Sequence, residues 1–136
     1  MSKLDKQNPK SSPLVLVVDD DPGIRRIIEI LLQKNGYTVQ TASNGQEALD
    51  TLDTVVPDVM VLDVMMPGMS GFEVCRAVRA NKRLQKVPVV FLTAKGTPQD
   101  YKTGHDAGGV VYMVKPFRPE RLLQVVRLFC RAEADT

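Results

Sequence analysis

The chain is 136 residues long, with 43% hydrophobic residues, 25% charged residues and a formal net charge of +2, which is typical of a single globular domain. This charge is too small to indicate binding to nucleic acid or to a membrane surface. No apolar stretch approaches the roughly 20 residues that span a bilayer, and the first residues lack the apolar core of a signal peptide. We therefore expect a cytoplasmic protein that contacts neither membrane nor nucleic acid directly.

From Leu14 onward, short apolar runs alternate with segments that have the period of an amphipathic helix. Residues 1–12 are polar and predict a flexible leader, residues 13–131 a single domain, and residues 132–136 a C-terminal tail. Five strands are predicted, at Leu14–Val18, Tyr37–Ala42, Val59–Leu62, Val87–Leu92 and Val110–Val114.

Five helices are predicted between and after these strands. The first begins near Pro22, ends at Asn35-Gly36 and is expected to bury Ile24, Ile27, Ile28 and Leu31. The second helix is opened by Ser43 or Asn44, and the third by Ser70. The fourth is predicted over Thr97–Ala107 and the fifth over Arg118–Arg131.

Five consecutive strand–helix units predict an α/β fold in which helices cover both faces of a parallel sheet. The first, third and fourth strands are almost continuously apolar, as central strands are, whereas the second alternates like an edge strand. Ligands of such sheets bind beyond the carboxyl ends of the strands, where the strand order reverses. Functional residues are therefore expected at those ends.

Charged residues follow three of the predicted strands. Asp19 and Asp20 follow the first strand, Asp63 follows the third and Lys115 follows the fifth. Carboxylates that meet in one crevice repel strongly unless a cation lies among them. Mg²⁺ together with a lysine ammonium group answers this requirement, so the pattern indicates phosphate chemistry.

A single carboxylate beside a metal can act as a ligand or as a nucleophile, and attack by Asp63 on a phosphoryl group would give a mixed anhydride. Thr93, at the end of the fourth strand, can offer a hydroxyl, and Ala94 is small enough to leave the group accessible. Each residue also has a structural interpretation, since Asp before a helix often caps it and Asp or Thr at a strand end often forms a turn. Four such residues at four predicted strand ends favour a site.

These motifs resemble the receiver domain of bacterial two-component response regulators, and the single-domain chemotaxis regulators in particular. The resemblance runs from about Leu14 to Phe129. It implies a flavodoxin-like, doubly wound, five-stranded parallel sheet with strand order 2-1-3-4-5 and five helices. The segments that carry it are Leu16–Pro22, Asp63–Gly71, Leu92–Ala94 and Lys115–Phe117.

The resemblance implies a metal site around the acceptor. Asp63 matches the phosphoacceptor and is itself expected to ligate the metal. Asp20 matches a direct Mg²⁺ ligand, and Asp19 matches a partner that acts largely through water. The backbone carbonyl of Met65 would complete the protein ligands.

The resemblance also implies residues that bind the phosphoryl group and respond to it. Thr93 and Lys115 match the switch hydroxyl and the phosphate-binding lysine, with Ala94 beside them. Tyr112 matches an aromatic residue that turns inward when Thr93 engages the phosphoryl group. The peptide bond between Lys115 and Pro116 is expected to be cis.

The implied function is a signalling switch rather than an enzyme. A histidine kinase or phosphotransfer protein would donate a phosphoryl group to Asp63, and the chain would catalyse only its own phosphorylation and a slow self-dephosphorylation. Phosphorylation would change the face formed by the fourth helix, fifth strand and fifth helix, which would bind a downstream protein. Met65 and Lys95 flank the path of hydrolytic water, which predicts slow hydrolysis.

Two further features of the sequence bear on dimerisation and on disulfide formation. Val110-Val111 stand where many DNA-binding relatives carry an acidic pair, which argues against a dimer through the last helix–strand–helix face. Cys75 and Cys130 are assigned to helices on opposite faces of the sheet, so no disulfide is expected between them.

Three other functions are compatible with parts of the pattern. The chain could be the receiver fragment of a larger regulator whose output domain is not present in this sequence. A phosphatase of the haloacid dehalogenase type would also form an aspartyl phosphate, but Met65 stands where those enzymes carry a second Asp. A receiver-like protein that binds partners without phosphate would not need all of the acidic residues, Thr93 and Lys115.

Overall fold

The computed structural model of the chain describes residues 12–94 and 96–135, with side chains up to residue 130. Residues 1–11, which make up most of the predicted leader, lie outside the described residues, as does Lys95. The strands are β1 (Leu14–Val18), β2 (Thr38–Ala42), β3 (Val59–Asp63), β4 (Val89–Thr93) and β5 (Val111–Val114). The helices are α1 (Pro22–Lys34), α2 (Gly45–Leu52), α3 (Gly71–Ala80), α4 (Pro98–Ala107) and α5 (Pro119–Asp135).

The five strands form one parallel sheet in the order β2-β1-β3-β4-β5. This confirms the predicted α/β, flavodoxin-like, doubly wound fold and its strand order. The almost continuously apolar strands β1, β3 and β4 are central, and the alternating strand β2 is at an edge, as the burial of their side chains requires.

Two apolar layers hold the helices against the sheet. Because successive strand residues face opposite sides, Leu16 and Val18 pack under α2, α3 and α4, whereas Val15 and Val17 pack under α1 and α5. Cys75 belongs to the first layer and Cys130 to the second, so the sheet separates the two cysteines and no disulfide joins them. The prediction that they form no disulfide is confirmed.

The helix boundaries follow local capping groups. Asn44 rather than Ser43 caps α2, by accepting a hydrogen bond from the Glu47 amide at 2.8 Å. Ser70 forms the predicted capping box with Glu73 at the start of α3. The last helix continues to Asp135, past its predicted end, and none of the described helices is both long and apolar enough to cross a membrane.

One buried residue of the first helix was predicted wrongly. Ile27 is 62% exposed, and the buried residues of α1 are Ile28 and Leu32. A helix turns by about 100° per residue, so α1 can rest Ile28 on the sheet only by turning Ile27 towards solvent.

Candidate functional site

The carboxyl ends of four neighbouring strands bring the predicted site residues to one edge of the sheet. Asp63 and Thr93 are the last residues of β3 and β4, whereas Asp19 and Lys115 directly follow β1 and β5. The parallel register keeps the ends of adjacent strands level. Residues that are far apart in the chain therefore meet in one crevice.

Three carboxylates form the centre of this crevice. Oxygen atoms of Asp19, Asp20 and Asp63 all lie within 4.8 Å of one another. Asp19 is fully buried and Asp63 is 4% exposed, whereas Asp20 is open to solvent. Because like charges this close repel strongly in a buried site, the cluster favours either a bound proton or a bound cation.

The repulsion appears in the acidity of Asp63. Burial raises the pKa of Asp63 to about 7, and the negative charge on Asp19 acts in the same direction. The Lys115 ammonium group and the amide of Met65, which donates to Asp63 Oδ1 at 3.3 Å, lower this pKa by less. A cation among the carboxylates would hold Asp63 in its charged form, which is the nucleophilic form.

Lys115 is the cationic partner of the cluster. Its Nζ atom lies 3.0 Å from Asp19 Oδ2 and 3.6 Å from Asp63 Oδ1, and its amide donates to the Thr93 carbonyl at 2.7 Å. Burial on its own would lower the pKa of Lys115, but the hydrogen bond and charge of Asp19, with Asp63, raise it on balance. The lysine therefore stays charged beside the acceptor. The peptide bond from Lys115 to Pro116 is cis.

The third residue of the acidic run has a different role from its neighbours. Asp21 is the N-cap of α1, and its carboxylate accepts hydrogen bonds from the amides of Gly23 at 2.8 Å and Ile24 at 3.2 Å. The Asp21 amide donates to Asp19 Oδ1 at 2.9 Å. Capping thus accounts for Asp21 alone and leaves Asp19 and Asp20 to the cluster.

The oxygen atoms of the cluster fit a hard divalent cation. Mg²⁺ takes oxygen ligands at about 2.0–2.1 Å, which places neighbouring ligand atoms about 3 Å apart. Carboxylate oxygens within 4.8 Å of one another can reach this arrangement after a small shift, with water completing the shell. The acidic pocket of Asp19, Asp20 and Asp63 could therefore bind a metal.

The loop after β3 packs closely against the start of α3. Gly71, the first residue of α3, donates its amide to the Val64 carbonyl at 3.0 Å. A Cβ atom at this position would clash with the Asp63 carbonyl and lie 2.9 Å from Val64 Cα. Gly71 belongs to a segment that carries the resemblance, but its contact with Asp63 has no signal in the local sequence pattern.

An aromatic group lies beside the end of β4. Thr93 is fully buried and Ala94 is exposed. The ring of Tyr112 is half-buried, with its centroid 4.6 Å from that of Tyr101 and 6.1 Å from that of Phe91. Burial raises the pKa of Tyr112, whereas a hydrogen bond with Thr93 lowers it by less. This bond connects the predicted switch hydroxyl to the predicted switch aromatic residue.

Arg25 is a neighbour of the site that the sequence pattern does not reveal. Its Nη1 atom donates a hydrogen bond to the Asp19 carbonyl at 2.7 Å. The contact depends on how the chain turns from β1 into α1, which no hydrophobic period or capping motif specifies.

Comparison with known proteins identifies the family. The model of the response regulator receiver domain matches residues 15–127. The chain is 44% identical over 117 residues to the probable transcriptional regulator ycf27 of Guillardia theta, covering 86% of this chain and 45% of that protein. It is 39% identical over 121 residues to the DNA-binding response regulator MtrA of Mycolicibacterium smegmatis, covering 89% of this chain and 52% of that protein. The chain thus spans about half the length of these curated relatives.

A solved structure agrees in both fold and extent. The chemotaxis protein CheY4 of Vibrio cholerae is 38% identical and superposes with a TM-score of 0.83, covering 87% of this chain and 98% of that one. Together, the matched residues and the strand order show that the chain belongs to the response regulator receiver domains, the signalling switches of two-component systems that interact with histidine kinases.

Proposed function

We propose that this receiver domain accepts a phosphoryl group on Asp63 from the phosphohistidine of a histidine kinase or phosphotransfer protein, in the cytoplasm. Mg²⁺ would be held by Asp19, Asp20, Asp63 and the backbone carbonyl of Met65. The observation that carries the proposal is the meeting of three carboxylates within 4.8 Å, with the Lys115 ammonium group 3.6 Å from Asp63. In this arrangement the buried Asp63 carboxylate, which would accept the phosphoryl group, lies beside the positive charge of Lys115.

The chemistry asks mainly for positioning and charge. A carboxylate oxygen of Asp63 attacks phosphorus while the phosphorus–nitrogen bond of the donor imidazole breaks, and the electron pair of that bond returns to the imidazole nitrogen. Bound Mg²⁺ supplies positive charge for the phosphoryl oxygens. Lys115 pairs with those oxygens from the other side, and the Thr93 hydroxyl donates to one of them. Ala94 keeps the approach open.

A groove next to the crevice provides a surface for the donor protein. It has a volume of about 370 Å³ and is lined by Ile24, Ile27, Lys115, Pro116, Phe117 and Pro119. Lys115 belongs to both the groove and the acidic cluster, so a protein that brings a phosphoryl group to Asp63 must cover this rim. Ile27 is 62% exposed, which supports an apolar contact with the donor protein in this groove.

The response to phosphorylation would involve Thr93 and Tyr112. Engagement of the Thr93 hydroxyl by the phosphoryl group would release its hydrogen bond with Tyr112 and change how that ring packs. The α4–β5–α5 face would then bind a downstream protein. Tyr101 and Val110 are 43% and 51% exposed on α4 and next to β5, which supports an apolar contact on this face.

A second candidate is that the chain acts as the receiver part of a longer regulator. This candidate is favoured by the greater length of the curated relatives, since the chain covers only 45% of ycf27 and 52% of MtrA. The absence of direct contact with nucleic acid stays a prediction for this chain, since MtrA is a DNA-binding protein. Both candidates share the same phosphorylation step.

Phosphorylation by a small phosphodonor tests the shared step. The wild-type chain incubated with acetyl phosphate and Mg²⁺ is expected to gain one phosphoryl group by intact mass spectrometry, and Asp63→Asn is expected to gain none. Asp21→Asn is the matched control, because it removes a carboxylate next to the cluster while asparagine keeps the helix cap. Full labelling of Asp63→Asn would contradict the assignment of the acceptor.

A further inference from the structure

We propose that Arg25 is a positioning residue for the metal site, because it fixes the peptide unit between Asp19 and Asp20 and thereby the direction of the Asp20 carboxylate. The inference rests on the proposed function, since it concerns the affinity of the acidic cluster for a cation. Its basis is the hydrogen bond of 2.7 Å from Arg25 Nη1 to the Asp19 carbonyl oxygen.

The peptide unit after Asp19 lies where the sheet no longer holds the chain. Pairing of β1 with its two neighbours ends at Val18. The Asp19 amide still donates to the Ala42 carbonyl at 3.2 Å, but the Asp19 carbonyl lies beyond both ladders and accepts from Arg25. The guanidinium group of Arg25 thus supplies the hydrogen bond to the first carbonyl that lies beyond the paired residues of β1.

The two ligands before α1 depend on this bond to different degrees. The Asp19 carboxylate is held independently, by the amide of Asp21 at 2.9 Å and by Lys115 Nζ at 3.0 Å. Asp20 is exposed, so packing does not orient it. Because a peptide unit is planar, fixing the Asp19 carbonyl also fixes the amide and Cα of Asp20. The following peptide unit is held by the Asp21 amide, which donates to Asp19 Oδ1 at 2.9 Å. With both peptide units fixed, the direction in which the Asp20 side chain leaves the backbone is fixed too.

The adjacent arginine offers a matched comparison. Arg26 lies one position further along α1, but its side chain is 66% exposed and pairs with Glu29 at 3.0 Å. Methionine at either position removes one positive charge from the same helical turn. Loss of a positive charge near a cation site should strengthen cation binding slightly, whereas loss of the Asp19 anchor should weaken it. The two effects have opposite signs.

The test is a Mg²⁺ titration of wild type, Arg25→Met, Arg25→Lys and Arg26→Met, followed by the amide signals of Asp20 and Met65 in ¹H–¹⁵N spectra. Arg25→Met is expected to bind Mg²⁺ about tenfold more weakly than wild type, as is typical when a group that orients a metal ligand is removed. Arg26→Met is expected to bind as tightly as wild type or slightly tighter. Arg25→Lys keeps one donor and is expected to fall between wild type and Arg25→Met.

The outcomes separate this inference from the proposed function. If wild type binds no Mg²⁺, the proposed metal site fails. If wild type binds and Arg25→Met binds as tightly as Arg26→Met, only the role of Arg25 is overturned. The spectra also show whether Arg25→Met is folded. Should it not be, equal affinities of Arg25→Lys and Arg26→Met would overturn the role.

Discussion

Nζ of Lys115 lies 3.0 Å from Oδ2 of Asp19, although 96 positions separate the two residues in the chain. Asp19 is fully buried, so its charge depends on this lysine for compensation. The pair therefore connects the first and last strands of the sequence at the acidic cluster, and it links the stability of the fold to the charge of the site.

Removing the lysine is expected to destabilise the metal-free protein. In Lys115→Met the buried Asp19 carboxylate loses its partner, which should lower the free energy of unfolding by about 2–3 kcal/mol in urea titrations with EDTA at pH 8. Lys102→Met is the control, because its ion pair with Asp106 is exposed and should contribute little. Equal effects of the two substitutions would contradict the compensating role of Lys115.

The raised pKa of Asp63 should make the free energy of unfolding depend on pH. An ordinary aspartate has a pKa of 3.8, and burial raises the pKa of Asp63 in the fold to about 7. Between these values the folded chain keeps a proton that the unfolded chain has lost, so the free energy of unfolding falls as pH rises through this window and stays lowered above it. In metal-free buffer, Asp63→Asn should escape this loss and be more stable than wild type by about 4 kcal/mol at pH 8, since each unit of raised pKa corresponds to about 1.4 kcal/mol.

The comparison of Asp63→Asn with wild type requires urea titrations at several pH values. The difference in unfolding free energy should be small near pH 4 and grow towards pH 7. Mg²⁺ should reverse it, since only wild type keeps all three carboxylates for the cation. Parallel pH profiles of the two proteins would rule out the raised pKa of Asp63.

Two glycines between β3 and the start of α3 are required for different reasons, Gly71 for close packing and Gly68 for its positive φ. Gly71→Ala should destabilise the chain by about 2–3 kcal/mol, because its Cβ would meet the Asp63 backbone. Gly68→Ala should cost only about 1 kcal/mol, because Gly68 has φ +78° but open space around it. Thermal unfolding ranks the two variants, and labelling by acetyl phosphate should fall in Gly71→Ala alone. A milder effect at residue 71 than at residue 68 would show that α3 can move away without cost.

The proposed donor groove can be tested with one exposed isoleucine. Ile27→Glu should slow phosphotransfer by about tenfold from the kinase that labels wild type fastest in a profile of the host's kinases, because it places a charge in an apolar contact. Val56→Glu is the control. Val56 is 49% exposed, but it lies just before β3, at the amino ends of the strands and so on the side of the sheet opposite to the crevice. Labelling by acetyl phosphate should be unchanged in both. Similar kinase rates for the two variants would place the donor elsewhere.

Local patterns in the sequence were sufficient for the secondary structure and for the choice of site residues. Alternation of apolar strands with capped helices predicts the layers, because each element must bury one face, and parallel strands end at a common edge. The sequence pattern alone therefore identifies five candidate site residues, Asp19, Asp20, Asp63, Thr93 and Lys115. Their chemical roles stay predictions until phosphorylation is measured.

The sequence by itself determined the fold class and the candidate residues at the strand ends, since these follow from short-range periodicity. Its motifs also carried the resemblance to the family, which added Met65 and Tyr112 to the candidates. Only the tertiary structure decided that Asp21 caps α1, that Ile27 faces solvent, that Gly71 meets the Asp63 backbone and that Arg25 holds the Asp19 carbonyl. Each of these depends on the rotation of a helix about its axis or on the path of a turn, which are set by packing between elements rather than by the pattern within one.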